Sequence, residues 1–144
     1  MNPIRVLIAD DHQLFREGLC ALLSHTPGTE VVGQAGTGLQ AIEQTEASIP
    51  DIVLMDIQMP DMNGIEATRH ILADHPEVGV IMLTMLEDDD SLFAAMVAGA
   101  RGYILKGADK AEVLRTVTAV AEGQAIFGPI IARRLQSFFQ RGGA

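Results

Sequence analysis

The chain is poor in cysteine and in cations, and it holds no long apolar run. Cys20 is the only cysteine among 144 residues, so no internal disulfide can form. It falls within the apolar spacing Leu14, Phe15, Leu19, Leu22, Leu23 and reads as a small buried hydrophobe, not a reactive thiol. Lys and Arg together number 10 against 19 Asp and Glu, for a net charge of −9. Phosphate contacts need clustered cations, so that balance argues against this chain gripping nucleic acid itself. Apolar runs stay well short of the roughly 18 residues of a membrane span. The N-terminus enters a strand directly, with neither the basic region nor the apolar core of a signal peptide. A cytoplasmic protein with no membrane contact is the expectation. Hydrophobic content of 48% beside 20% charged residues is that of a globular chain, and the length suits one domain with an appendage.

What is present is a regular alternation. Strand-like runs lie at about 4–9, 30–35, 51–55, 78–83 and 101–105, with helical patterns at about 12–24, 38–47, 64–74, 88–98 and 109–122. Five βα units in succession predict an α/β fold, a doubly wound parallel sheet of five strands with helices on both faces. Right-handed crossovers leave few topologies, and the flavodoxin-like order 2-1-3-4-5 is the common five-stranded one. Pro50 and Pro76 sit just before the third and fourth strands, where they stop the preceding helices. Glu87-Asp88-Asp89-Asp90-Ser91 opens the fourth helix, where acids complement the helix dipole and one can cap a free N–H.

Beyond residue 122 the pattern changes. Gly123-Gln124-Ala125-Ile126-Phe127-Gly128-Pro129 is a turn-rich connector, and Pro129 opens a short helix through Phe139. Ile131, Leu135, Phe138 and Phe139 are expected on one face of it. That helix could dock on its own domain, pair with a partner, or lead into another domain. The tail Gln140-Arg141-Gly142-Gly143-Ala144 reads as a linker or a cut end.

The chemistry gathers at strand ends. Asp10 and Asp11 close the first run, Asp56 closes the third and is followed by the loop Gln58-Met59-Pro60-Asp61-Met62-Asn63-Gly64. Thr84 ends the fourth run and Lys106 the fifth. In the order 2-1-3-4-5 the first and third strands are neighbours, so the three acids meet at the switch point of the sheet. Three converging carboxylates need a cation; a divalent ion together with Lys106 brings the charge to about zero. Oxygen ligands without an accompanying His or Cys set favour Mg²⁺ or Mn²⁺ over zinc. A metal, an ammonium and a hydroxyl around one carboxylate describe a clamp for a transferring phosphoryl group, with Asp56 as nucleophile and an acyl phosphate as product.

With Asp10-Asp11, Asp56, Met59-Pro60, Gly64, Thr84, Tyr103 and Lys106 in order, residues 3–122 resemble the receiver domain of two-component response regulators, a CheY-like fold. The resemblance implies that Asp56 accepts phosphate from a sensor histidine kinase, as a signalling switch and not a metabolic enzyme. Asp11, Asp56 and the backbone carbonyl of Gln58 would hold Mg²⁺, with Asp10 acting through water. Lys106 would bind a phosphoryl oxygen, Thr84 would swing to the phosphate, and Tyr103 would turn inward. Output would emerge on the fourth helix, fifth strand and fifth helix, and dimerisation on phosphorylation could use that face or the first and fifth helices.

Local wording narrows the likeness. Asp10-Asp11-His12, Arg16-Glu17-Gly18-Leu19, Ala98-Gly99-Ala100-Arg101-Gly102-Tyr103 and Leu105-Lys106-Gly107-Ala108 resemble the NarL/LuxR-type transcriptional regulators. So do Pro129, Ala132 and Leu135, which match the segment leading to their helix-turn-helix domain. The expected division is therefore a receiver over 1–122 and, over 123–144, a linker with a short helix leading toward a DNA-binding domain absent from this sequence. Met85 stands where such domains commonly have a small residue, so it is expected to restrict access of phosphodonors. His12 reads as a helix-start residue. A haloacid-dehalogenase-like phosphohydrolase would need Asp-x-Asp after the first strand, where this chain has adjacent aspartates. A receiver used only for protein association is the remaining alternative.

Overall fold

The structure is a computed structural model that describes residues 2–85 and 87–142. Five strands, β1 (Ile4–Ala9), β2 (Thr29–Ala35), β3 (Ile52–Asp56), β4 (Gly79–Thr84) and β5 (Gly102–Leu105), form one sheet in the order β2-β1-β3-β4-β5. All pairings are parallel. Between and after them run α1 (Gln13–Ser24), α2 (Gly38–Ser48), α3 (Gly64–Asp74), α4 (Asp89–Ala98), α5 (Lys110–Ala121) and α6 (Pro129–Gln140). The expected fold and strand order are those observed, with element bounds moved by a residue or so. One such shift matters: Asp56 and Thr84 are the last residues of their strands.

Side chains of a strand alternate between faces, and here helices cover both, so the inner strands are apolar throughout. Val6, Ile8, Ile52, Leu54, Ile81, Leu83 and Ile104 point to α1 and α5, meeting Leu19, Leu23, Val113, Val117 and Val120. Leu7, Ala9, Val53, Met55, Val80 and Met82 point the other way, to Ala41 of α2, Ile65 and Ile71 of α3, and Leu92 and Ala95 of α4. Helix starts are capped by short polar side chains: Thr37, Asn63, Asp88 and Asp109 each accept a bond from the backbone N–H three residues on. At the end of α4, Gly99 takes φ 112°, a left-handed conformation that glycine adopts freely.

The C-terminal segment is the part the sequence left open, and in this structure it lies against its own domain. The Ile126 N–H donates to the Arg101 carbonyl at 2.8 Å, beside the outer edge of β5. Helix α6 then packs on α4, with Phe138 stacked on Phe93 at 4.6 Å between ring centres. Ile131, Leu135 and Phe138 are buried, and Phe139, though 57% exposed, sets its ring edge-on against Phe93 at 5.3 Å, so the expected face holds with Phe139 at its border. Phe139 lies four residues from Leu135, about 40° further round the helix, which puts it on the solvent edge of the same stripe. The tail is not wholly a linker: Gln140 belongs to α6, and Arg141 pairs with Asp89 at 2.8 Å. Gly143 and Ala144 lie outside the described residues. Among the described residues no helix is long and apolar enough to cross a membrane.

Candidate functional site

The C-terminal edge of the sheet brings Asp10, Asp11, Asp56, Thr84 and Lys106 to one mouth. Asp10 is fully buried just after β1, and Asp56 is 4% exposed at the end of β3. Gly64 is what allows β3 to end there against the start of α3. A Cβ on it would drive into the Asp56 carbonyl oxygen, and its N–H donates to the Ile57 carbonyl at 2.8 Å. His12 is the residue before α1, and its backbone N–H donates to Asp10 Oδ1 at 2.8 Å, as fits a helix-start residue.

Lys106 bridges the acids. Its Nζ lies 2.9 Å from Asp10 Oδ2 and 3.2 Å from Asp56 Oδ2, and 5.1 Å from the centre of the Phe15 ring. Burial works to lower its pKa, but pairing with Asp10 and Asp56 prevails and raises it. Asp56 moves in the opposite sense for a carboxylate. Burial first and the Asp10 charge second push it up to about 7, against the lowering pull of Lys106 and of the Gln58 N–H at 3.2 Å. One ammonium does not neutralise the group.

These residues fit a hard cation. One ligand oxygen each from Asp10, Asp11 and Asp56 all lie within 4.8 Å of one another. Asp10 Oδ2 is buried, and its approach to Lys106 is a charge pairing whose angles fall short of a hydrogen bond. An oxygen with a spare lone pair inside an acid cluster is what a divalent cation would satisfy. Gln58 lines the same cavity of about 370 Å³ with Asp11, His12, Asp56, Met85, Glu87 and Lys106. Met85 is 73% exposed, on the outer lip of that cavity.

Two expected participants have other partners. The Thr84 hydroxyl donates to the Glu87 carboxylate at 3.2 Å. Tyr103 is 3% exposed and donates its hydroxyl to the Leu92 carbonyl at 2.5 Å, with Phe127 against its ring. The inward turn implied for Tyr103 therefore has no outward starting point in this structure. The sequence reading gave Glu87 only a place at a helix start and gave Arg134 no role. The acidic run before α4 looked like capping and solvation, and it does cap, through Asp88 to the Ser91 N–H at 2.7 Å. No local pattern announced that Arg134, 45 residues away, would bond Asp89 at 2.6 Å.

Residues 6–118 match the sequence profile of the response regulator receiver domain. The chain belongs to that family. Among curated relatives of this receiver domain, the response regulator GacA of Pseudomonas viridiflava is 42% identical over 132 residues, covering 92% of this chain and 62% of the relative. The transcriptional regulatory protein DegU of Brevibacillus brevis is 39% identical over 140 residues, covering 97% and 59%. The chain thus spans about three fifths of the length of these relatives. Among solved structures, a LuxR-family two-component response regulator from Aurantimonas superposes with TM-score 0.88 at 34% identity, over 94% of this chain and 97% of that one. The signal receiver domain of the putative response regulator NarL from Mycobacterium tuberculosis gives 0.82 at 31%, over 86% and 100%. The receiver is thus the signalling module of a response regulator.

Proposed function

We propose that Asp56 is the phosphoacceptor of this receiver domain. The carrying observation is its carboxylate, buried at the sheet mouth among Asp10, Asp11 and Lys106. The carboxylate attacks the phosphorus of a phosphohistidine on a sensor kinase. A P–O bond forms, the P–N bond breaks, and the imidazole nitrogen keeps the electron pair and takes up a proton. Asp10, Asp11, Asp56 and the Gln58 carbonyl would hold Mg²⁺ or Mn²⁺, which when bound neutralises charge on the phosphoryl oxygens. Lys106, beside Asp10 and Asp56, adds a second positive contact. Because Tyr103 is already buried, the moving part we assign is Thr84 with the loop between β4 and α4.

Output is assigned to α4, β5 and α5, toward a helix-turn-helix domain beyond this sequence. With α6 lying on α4, the face of α1 and α5 is the more open one for dimerisation. Leu14 there is 79% exposed beside Phe15, Leu22 and Lys110. The test is incubation with acetyl phosphate and Mg²⁺ followed by intact mass measurement. One phosphoryl group is expected on the wild type and none on Asp56→Asn. Absence of the gain, or its persistence in the variant, removes the reading, and turnover of an external phosphoester would indicate a hydrolase instead.

A further inference from the structure

Among the described residues, helix α6 meets the rim of the acidic cavity at Glu87. Its carboxylate accepts from the Thr84 hydroxyl at 3.2 Å and from the Met85 N–H at 3.3 Å, and its own N–H donates to Thr84 Oγ1 at 3.3 Å. The same side chain lines the cavity that holds Asp11, Asp56 and Lys106. On the other side, the Glu87 carbonyl accepts from Arg134 Nη2 at 2.6 Å. Arg134 Nε also bonds Asp89 Oδ1 at 2.6 Å, and Arg141 bonds Asp89 Oδ2 at 2.8 Å. The loop before α4 is therefore tied at one end to Thr84 and at the other to α6.

We propose that Glu87 and Arg134 form a latch that makes docking of α6 and phosphorylation of Asp56 oppose each other. The inference rests on the phosphoacceptor reading given above. A phosphoryl group brings charge of about −2 into the cavity that Glu87 lines. It repels that carboxylate and competes for the Thr84 hydroxyl. When Glu87 gives way its carbonyl moves with it, and Arg134 loses the second of its two partners. A helix as short as α6 is held by tertiary contacts and not by its own propensity, so loosening one end favours release. Release uncovers Ile131, Leu135 and Phe138 together with Phe93 of α4, an apolar surface hidden until the signal arrives.

Coupling of this kind is reciprocal, and that makes it measurable from both ends. In the full chain, labelling with acetyl phosphate and Mg²⁺ is expected to speed hydrogen–deuterium exchange across 129–140, with no change in Asp56→Asn. Conversely, Arg134→Ala and Asp89→Asn are expected to bind beryllofluoride with Mg²⁺ more tightly, by about fivefold or more, in calorimetry. A merely structural role for Arg134 would leave that affinity unchanged or weaken it, and either result overturns the latch. A labelled chain whose 129–140 segment stays as protected as before overturns the latch alone. A chain that neither labels nor binds beryllofluoride overturns the phosphoacceptor reading and the latch with it.

Discussion

Two acidic clusters stand within a few residues of the same cavity, and the protein treats them in opposite ways. Asp10, Asp11 and Asp56 are drawn together where burial and mutual repulsion push Asp56 up to about 7. In the run before α4, Glu87, Asp88 and Asp89 meet partners that the chain itself supplies. Bonds from Ser91 hold Asp88 below the usual carboxylate range, and the guanidiniums of Arg141 and then Arg134 do the same for Asp89. The first cluster is left short of positive charge and is suited to take a cation and a phosphoryl group. In the second, bonds from the chain itself hold Glu87, Asp88 and Asp89 in place, and the run is suited to hold structure. Acid content alone says nothing of which role a cluster plays; the supply of partners decides it.

That contrast can be broken most sharply through α6, which carries Arg134 and leads into Arg141. Phe138→Ala is expected to cost α6 docking about 2–3 kcal/mol, below the range for fully enclosed rings because the site borders solvent. Native-state hydrogen exchange of 129–140 reads it, and unchanged protection would show that the ion pairs hold the helix without the ring. Next in size is the cost of the first cluster. The folded chain keeps the Asp56 proton up to about pH 7, whereas an unfolded chain loses it near 3.8. Metal-free stability therefore falls as pH rises through that window and levels off above it. Asp56→Asn is expected to remove that fall and to be more stable at pH 8 by on the order of 1–2 kcal/mol in urea unfolding. Equal stability at pH 8 would count against the crowding argument.

Smaller effects sharpen the comparison further. A proton on Asp56 competes with a metal ion, so affinity for Mg²⁺ should rise by about fivefold from pH 6 to 7 and about twofold more by pH 8. Titration calorimetry at pH 6, 7 and 8 tests it; a flat profile would mean that Asp56 is not a ligand. Least of all, Met85→Ala is expected to speed labelling by phosphoramidate a few-fold by opening the lip of the cavity, and unchanged kinetics would remove Met85 as a barrier.

Most of the fold was legible because short β-branched runs, turn residues and helical spacing repeat five times with little ambiguity. The convergence of Asp10, Asp11 and Asp56 was legible too, since it follows once the strand order is accepted. Tyr103 was harder. Its position at the sheet edge follows from the sequence, but its burial depends on Phe127 and the connector folding back over it. Glu87 carried no signal beyond that of a helix start, because the partner of its carbonyl lies 47 residues later.

By itself the sequence determined which residues stand at the strand ends, because alternation and turn chemistry are local and act through neighbours in the chain. It also determined that α6 has an apolar face. Only the tertiary structure decided where that face goes and which acids find a cation within the protein. A hydrophobic stripe has no direction of its own, and Coulomb pairing depends on distances in space that separation along the chain does not set.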